Sequence, residues 1–232
     1  MIHLDHIRKS YRKRDHEVVA FQTQALTITK GEYVAIVGPS GSGKTTFLSL
    51  LGGMLSPDTG RVWIDGKSLY DVSISERTQR RREMIGFVFQ TFNLVPYLTA
   101  VENVKVPLYL AGVPETEQRE RATELLKQVG LADRLDHKPS ELSTGQQQRV
   151  ALARTLANNP RIILADEPTG NLDPTSREMV LSLFDQFIQE GRTIVMVTHD
   201  PGAAARSRRQ LRLVNGEIQD SSSPQLATSE AA

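Results

Sequence analysis

The sequence contains no cysteine, which excludes a disulfide framework, a thiolate metal site and a cysteine nucleophile. It also has no apolar run near the ~18 residues that a bilayer-spanning helix requires. The longest apolar runs are strand-sized, such as 33–37 (YVAIV) and 194–197 (IVMV), and residues 1–21 contain no apolar signal-peptide region. We therefore expect a cytoplasmic protein that reaches a membrane only through a partner.

The chain has almost no excess charge of either sign. Its 28 Lys and Arg residues against 27 Asp and Glu residues give a formal net charge of +1. This balance gives no support to the broad basic footprint of a nucleic-acid-binding protein. The arginine clusters at 80–82 and 206–209 are typical of solvated faces. No nucleic-acid partner is expected.

Short apolar, β-rich runs alternate with helical patterns along the chain, which predicts a parallel sheet with helices on its faces. About residues 91–160 lack strong strands, so we interpret them as a helical subdomain inserted into the sheet domain, and 221–232 as a flexible tail. The last predicted helix has Asp173 as its N-cap and Pro174 in its first turn. The predicted strands are 33–37, 61–64, 86–89, 161–165 and 193–197, and the predicted helices are 44–51, 115–129 and 175–189.

Residues 38–45 (GPSGSGKT) match G-x-x-x-x-G-K-[ST] in full, between a predicted strand and a predicted helix. The backbone N–H groups of such a loop cradle phosphate oxygens, and the helix N-terminus adds partial positive charge. We expect Lys44 to reach the β- and γ-phosphates, Thr45 to ligate Mg²⁺, and Thr46 to donate near the α-phosphate. The alternative is an ordinary glycine-rich turn. The predicted nucleotide-binding residues here are Gly38, Pro39, Ser40, Gly41, Ser42, Gly43, Lys44, Thr45 and Thr46.

Two adjacent carboxylates, Asp166 and Glu167, follow the apolar run 162–165. Because successive residues of a strand point to opposite sides, the two side chains should have different roles. We expect Asp166 to organise Mg²⁺ through its water shell, and Glu167 to polarise the water that attacks the γ-phosphorus of ATP. Taken alone, an acidic helix cap or turn would explain this pair equally well.

Residues 142–149 (LSTGQQQR) precede the acidic strand, and Ser143 and Gln146 have the spacing of a capping box, which predicts a helix start. A helix N-terminus with a hydroxyl group and a glycine is a second anion site. A single nucleotide needs only one such helix end on each side. The simplest interpretation is a dimer in which this helix end meets the ATP held by the other chain.

With these motifs in order, the sequence resembles the ATP-binding-cassette (ABC) ATPases over about residues 1–220. LSTGQ is similar to the family signature LSGGQ, with Thr144 in place of its first glycine. The resemblance implies an α/β fold: a P-loop NTPase parallel-sheet core, an N-terminal antiparallel β part and an inserted helical subdomain. It also implies a head-to-tail homodimer with two ATP, in which Ser143, Gly145 and Gln146 contact nucleotide. A β-branched residue at position 144 would be costly if that position required φ > 0.

The same resemblance assigns further residues. Gln90 matches the glutamine that senses Mg²⁺ and the attacking water, 171–173 match the D-loop at the dimer seam, His199 matches the switch histidine at the γ-phosphate, and Tyr11 matches the aromatic that stacks on adenine. Each has an ordinary structural alternative, such as packing for Tyr11 or solvation for His199. The implied catalytic residues are Glu167, His199, Gln90 and Lys44, the implied metal ligands are Thr45, Gln90 and Asp166, and the implied cofactors are ATP and Mg²⁺.

Residues 92–104 (FNLVPYLTAVENV) and 170–173 (GNLD) resemble one bacterial subgroup, the lipoprotein-release, macrolide-efflux and cell-division ATPases. That resemblance implies a separate integral membrane subunit, powered for export, lipoprotein release or periplasmic mechanotransmission. The chain would then lie on the cytoplasmic face of the inner membrane. The apolar stretch 91–110 is a candidate docking surface for this subunit, and the alternative is a self-buried loop.

Two other classes of function remain open. A soluble ABC ATPase of a non-transport complex, such as cofactor assembly, would carry the same motifs. A P-loop kinase or GTPase is less favoured, because no N-K-x-D segment for guanine is present and the Asp-Glu pair favours water as the acceptor. Chromosome-type members would need a long coiled coil between the motifs, and translation-type members would need two cassettes.

Overall fold

The computed structural model describes residues 1–13 and 16–220. In these residues one mixed sheet contains β1 (Ile2–Lys13), β2 (His16–Ile28), β3 (Tyr33–Val37), β4 (Thr59–Ile64), β5 (Lys67–Ser68), β6 (Ile85–Val88), β7 (Ile162–Asp166), β8 (Thr193–Val197), β9 (Arg209–Val214) and β10 (Glu217–Asp220). The helices are α1 (Lys44–Leu51), α2 (Ile74–Met84), α3 (Ala100–Leu110), α4 (Glu115–Gln128), α5 (Thr144–Leu156), α6 (Pro174–Gln189) and α7 (Pro201–Ala204), with one 3₁₀ turn at Pro139–Glu141.

The strand order is β5-β4-β1-β2-β10-β9-β3-β8-β7-β6. The half from β9 to β6 is parallel, and β4, β1 and β2 pair antiparallel beside it. This is the predicted α/β P-loop arrangement with an N-terminal antiparallel part. The bounds predicted for β3, α1 and β8 are confirmed. The strand predicted at 86–89 is β6 instead, shifted by one residue because Ile85 joins the parallel ladder opposite Ile162.

The hydrophobic core lies on both faces of the parallel strands. Along β7, Ile163 and Ala165 pack on the face that carries α3 to α6, whereas Ile162 and Leu164 pack on the opposite face with α1 and the antiparallel strands. Strands buried on both faces are expected in a parallel sheet covered by helices. The carboxyl ends of the strands remain open for a site at the sheet edge.

Between the adjacent strands β6 and β7 the chain forms α3, α4, the 3₁₀ turn and α5, with no strand in this stretch of described residues. α4 ends at Gln128, one residue before the predicted end, and α6 begins at Pro174, one residue before the predicted start. The tail predicted at 221–232 lies outside the described residues. Within the described ranges, no helix has both the length and the apolarity to cross a bilayer.

The stretch 91–110, the candidate docking surface, is partly packed against the rest of the chain. Phe92 and Leu94 pack against the core on the sheet face that carries α3 to α6. The buried side-chain amide of Asn103 accepts from the Val95 N–H and donates to the Val95 carbonyl. The exposed apolar side chains of this stretch are those of Tyr97, Tyr109 and Leu110. The loop tip at Tyr97 and the end of α3 at Tyr109 and Leu110 therefore keep large apolar side chains exposed within the candidate docking surface.

Candidate functional site

A cleft of about 830 Å³ opens at the carboxyl ends of β3, β7 and β8. It is bordered by the loop between β3 and α1, by β2 of the β1–β2 hairpin and by the turn between β9 and β10. The cleft brings together most of the residues predicted from the sequence. These lining residues are Ser40, Gly41, Gly43, Lys44, Thr45, Thr46, Gln90, Asp166, Glu167 and His199.

The phosphate loop ends where α1 begins, at Lys44. Gly43, the N-cap, has φ 103°, and a Cβ there would lie 1.9 Å from the carbonyl oxygen of Ala20, so both backbone conformation and space require glycine. No side chain caps this helix start, which leaves its N–H groups for an anion. Lys44 Nζ donates to the carbonyl oxygens of Gly38 and Pro39, each at 2.9 Å, so the ammonium group lies against its own loop.

Asp166 ends β7 beside the phosphate loop. The hydroxyl of Thr45 donates to Asp166 Oδ2 at 3.2 Å. Burial raises the pKa of the Asp166 carboxyl, and the Thr45 hydrogen bond opposes that rise. A hydroxyl and a carboxylate are hard oxygen ligands suited to Mg²⁺, which usually takes one or two protein oxygens and completes its shell with phosphates and water. Among the described residues, no group of three or more His, Cys, Asp or Glu side chains is arranged to hold a metal ion by itself. The Thr45 hydroxyl and the Asp166 carboxylate fit Mg²⁺ that is bound together with a nucleotide.

Glu167 contacts a different partner from Asp166, although strand alternation is not the reason, since β7 ends at Asp166 and Glu167 lies outside the strand. Its Oε1 lies 2.8 Å from His199 Nδ1, and its Oε2 accepts from the His199 backbone N–H at 3.3 Å. The Glu167 side chain is 13% exposed, whereas that of His199 is 70% exposed. Glu167 has φ 46°, a left-handed conformation that is costly for a residue other than glycine. Such strain is found at functional sites, where the surrounding structure holds it in place.

Gln90 follows β6 and lines the same cleft. Its backbone carbonyl accepts from Asn171 Nδ2 at 3.4 Å, and a Cβ on Gly170 would lie 3.3 Å from Gln90 Nε2. The predicted N-cap Asp173 is confirmed, because its Oδ1 accepts from the N–H groups of Thr175 and Ser176 at 3.0 Å. The 170–173 segment therefore links the Gln90 loop to the start of α6.

The helix predicted at Ser143 is confirmed. Ser143 Oγ accepts from the Gln146 N–H at 3.2 Å, and Gln146 Oε1 accepts from the Ser143 N–H at 2.9 Å, which completes a capping box. None of Ser143, Gly145 and Gln146 is among the residues that line the cleft of the same chain. This helix end therefore contributes no lining residue to the cleft of its own chain.

Thr144 and Gly145 have different constraints. Thr144 is the exposed first residue of α5 and is not in the positive-φ region, so threonine carries no backbone penalty there. Gly145 is buried, and a Cβ on it would lie 2.2 Å from Ser176 Oγ and 2.6 Å from Ser176 Cβ. Close packing against α6, and not an unusual φ, requires glycine at position 145.

Tyr11 is not among the residues that line the cleft. It lies on β1 directly opposite Val18 of β2, and Val18 does line the cleft. Side chains directly opposite in an antiparallel pair lie on the same face of the sheet. The Tyr11 side chain, 47% exposed, is therefore beside the cleft wall.

Sequence reasoning missed part of the cleft wall. Asn215 and Gly216, with φ 50° and 81°, form the tight turn between β9 and β10, and the Gly216 N–H donates to the Ser42 carbonyl at 3.0 Å. An Asn-Gly dipeptide between two strands is a strong hairpin signal and could have indicated this turn. Val19 and Ala20 also line the cleft, and no sequence pattern indicates that role.

The comparisons with known proteins agree with this geometry. Residues 21–170 match the ABC transporter family. The chain is 46% identical over 218 residues to an ABC transporter ATP-binding protein of Bacillus subtilis, YvrO, covering 94% of this chain and 95% of the relative. It is 47% identical over 225 residues to the macrolide export ATP-binding/permease protein MacB of Syntrophobacter fumaroxidans, which covers 96% of this chain and 32% of that relative.

Solved structures give the same result. A dimeric, post-hydrolysis structure of the ATP-binding cassette MJ0796, bound to ADP and Pi, matches with a TM-score of 0.88 and 44% identity, covering 94% of this chain and 97% of that one. The MJ0796 sequence from Methanocaldococcus jannaschii is 47% identical over 224 residues, which is 94% of this chain and 95% of the relative. The chain belongs to the ATP-binding subunits of ABC transporters, and it is an ATPase with the P-loop α/β fold.

Proposed function

We propose that two copies of this chain close around two ATP molecules and that this closure powers a separate integral membrane subunit. The observation that carries the proposal is that Lys44, Glu167 and His199 line one cleft, whereas the capped helix start at Ser143 contributes no residue to that lining. Each protomer then supplies half of the surroundings of each γ-phosphate. The dimeric MJ0796 structures, similar in fold and sequence, support this arrangement.

Within the cleft, the side chains have complementary roles. Lys44 leaves its own loop carbonyls to pair with the β- and γ-phosphates. Thr45, Asp166 and Gln90 would hold Mg²⁺, which would neutralise phosphate charge. Glu167 accepts a proton from the attacking water, and His199, held at 2.8 Å from Glu167, contacts the γ-phosphate. Catalysis then rests on positioning and on preorganised charge.

The partner chain closes the site with the N-terminus of its α5. Its Ser143 hydroxyl, the Gly145 N–H and the Gln146 side chain contact the γ-phosphate, and the helix end adds partial positive charge. Hydrolysis removes the group that bridges the two protomers, so the dimer reopens. This cycle converts ATP binding into movement of the attached subunit.

Substitution Glu167→Gln tests this cycle. The variant should keep ATP binding, lose turnover and, with ATP, elute as a dimer on size exclusion, while it stays monomeric with ADP. Glu124→Gln, on the exposed surface of α4, is the matched control and should behave as the unchanged chain. Near-normal hydrolysis by Glu167→Gln would exclude its role as base, and a persistent monomer with ATP would exclude closure.

For the membrane subunit we propose the groove between α2, β6, α3 and α5. Its lining is apolar with three arginines and, among the residues described there, no carboxylate. The exposed Tyr109 and Leu110 lie at its α3 side. The lining residues are Thr78, Arg81, Arg82, Ile85, Gly86, Phe87, Phe89, Asn93, Val106, Pro107, Leu110, Arg154, Thr155, Asn158 and Pro160.

Docking at this groove predicts a chain bound peripherally at the cytoplasmic face of the inner membrane. Leu110→Ser should abolish co-purification with membranes and leave the ATPase rate of the isolated chain unchanged. Ile74→Ser is the control, because Ile74 is an apolar residue outside the groove lining and is even more exposed (74%) than Leu110 (60%). Co-purification that survives Leu110→Ser would exclude this surface, and absence of the unchanged chain from membranes would favour a soluble, non-transport complex.

A further inference from the structure

The hairpin of β1 and β2 contains a β-bulge that lies against the phosphate loop. Lys9 pairs with Phe21, but Ser10 pairs with Val19, so Ala20 is an extra residue on β2. A bulge bends a strand and changes the direction of its neighbours. The carbonyl oxygen of this extra residue lies 1.9 Å from the position that a Cβ on Gly43 would occupy. The bulge therefore sets the position of the hairpin relative to the phosphate loop.

The carboxylate of Asp58 accepts three hydrogen bonds from Lys9 and Ser10, which lie on β1 opposite the bulge. Asp58 Oδ1 accepts from Lys9 Nζ at 2.6 Å, and Oδ2 accepts from the Ser10 N–H at 2.7 Å and the Ser10 hydroxyl at 3.0 Å. The Asp58 N–H also donates to the Arg8 carbonyl at 2.8 Å. The Lys9 hydrogen bond lowers the pKa of Asp58, which is therefore ionised at neutral pH. The loop before β4 is thus fastened to β1 at the bulge.

The same lysine reaches the ring of Tyr11. Lys9 Nζ lies 5.7 Å from the ring centroid, within the range of a cation–π contact, and its side chain is only 15% exposed. Tyr11 in turn lies opposite Val18 in the cleft wall. A continuous set of contacts therefore runs from Asp58 through Lys9 to the hairpin end of the nucleotide cleft.

We propose that Asp58 and Lys9 are positioning residues for the nucleotide base. They hold the bulge and the Tyr11 ring in the orientation in which the hairpin contacts the base, while the phosphate loop binds the triphosphate independently. This inference rests on the proposed function and on the stacking of Tyr11 on adenine that the family resemblance implies. Without Asp58, the Lys9 ammonium group loses its carboxylate partner and Ser10 loses its hydrogen bonds to that carboxylate. The hairpin that contacts the base is then no longer held in one position.

Two ligands separate this role from a general loosening of the fold. ATP has a base, whereas inorganic tripolyphosphate has only the phosphates, and both are measured with Mg²⁺: ATP by its KM, tripolyphosphate by its Ki as a competitor of ATP hydrolysis. Asp58→Ala should raise the KM for ATP about three- to fivefold, the size of an exposed cation–π contact, and leave kcat and the tripolyphosphate Ki within about twofold. Lys9→Met should do the same, and Lys9→Arg should restore the KM.

The control is Asp71→Ala. Asp71, like Asp58, is an exposed carboxylate in an ion pair, but its partner is Arg61 and it makes none of the contacts at the bulge. If Asp58→Ala does not fold, Asp58→Asn removes the charge and keeps an acceptor for Ser10. An equal loss of ATP and tripolyphosphate binding, or an unchanged KM for ATP, would overturn the proposal.

Tyr11→Leu separates two possible failures. One is failure of the Asp58–Lys9 ion pair as a positioning device, here called the clamp, and the other is failure of the Tyr11 contact with the base. If Tyr11→Leu raises the KM for ATP but Asp58→Ala does not, the clamp alone is wrong. If Asp58→Ala raises it but Tyr11→Leu does not, the stacking assignment is wrong and the clamp acts through Val18 in the cleft wall.

Discussion

Substitution Gly145→Ala should destabilise the fold although alanine is the better helix former. The added Cβ would lie 2.2 Å from Ser176 Oγ and 2.6 Å from Ser176 Cβ, so α5 and α6 must move apart. Overpacking of this kind costs about 1–3 kcal/mol. The gain in helix propensity over glycine offsets about 0.5–1 kcal/mol of that cost. Because two Ser176 atoms lie under 3 Å from the added Cβ, we expect the upper part of the overpacking range, about 2–3 kcal/mol, and subtracting about 1 kcal/mol for helix propensity leaves a net loss of about 1–2 kcal/mol in the free energy of unfolding.

Thermal unfolding followed by circular dichroism measures this loss. For a chain of this size, 1 kcal/mol corresponds to about 2–4 °C, so Gly145→Ala should lower Tm by about 2–8 °C. The neighbouring Thr144→Ala, at an exposed position, should stay within about 0.5 kcal/mol of the unchanged chain. Ser176→Gly should remove most of the penalty in the double variant. An unchanged Tm for Gly145→Ala, or an equal penalty with and without Ser176, would refute the steric explanation.

Three further outcomes follow from the described contacts. Lys44→Ala should weaken ATP binding at least tenfold in an equilibrium titration, because a charge-assisted contact to phosphate is lost; unchanged affinity would remove its assignment. Glu102 has a pKa lowered by the backbone N–H of its capping box, so its contribution is present above pH 4.5 and disappears in acid. Tm–pH curves of Glu102→Gln and the unchanged chain should therefore converge on acidification; a constant gap would contradict this. Arg154→Lys should lower the free energy of unfolding by about 1–3 kcal/mol in urea, since the half-buried guanidinium donates to the carbonyls of Phe92 and Asn93; no change would contradict that contact's importance.

The parts of the fold that follow local rules could be predicted from the sequence. β3 and β8 are apolar on both faces and bounded by clear breaks, and their ends were predicted to the residue. The caps at Asp173 and Ser143 follow from residue spacing alone, and the structure confirms both. Local hydrogen bonds and periodic burial are encoded within a few neighbouring residues, so a single sequence is sufficient for them.

Features that depend on distant segments could not be predicted in this way. The need for glycine at 145 comes from Ser176, on the next helix, and the extra residue Ala20 is defined by its register with β1. The partial burial of Leu94 likewise depends on packing against the core between the sheet and helices α3 to α6. These constraints arise from tertiary contacts, which hydrophobic patterns do not specify.

The cleft contains residues of both kinds, some predictable from the sequence and some not. The phosphate loop and the acidic pair were identifiable because their chemistry depends on adjacent residues, and the structure brings them into one cleft. Asn215 and Gly216 also border that cleft, although they lie 171 to 172 positions after Lys44 (215 − 44 and 216 − 44). Only the sheet order, which places β9 next to β3, explains their presence.

The claim that each site is built from two chains can be tested by mixing two inactive variants. Glu167→Gln damages the cleft side of a site, and Ser143→Arg damages the helix end that the partner supplies. In a mixed dimer, one site receives both defects and the other receives neither, because symmetric chains exchange the same surfaces. The ATPase rate of an equal mixture should recover to about a quarter of the unchanged rate, since about half of the dimers are mixed and each has one intact site. A mixture as inactive as its components, or full activity of Ser143→Arg alone, would contradict the two-chain site.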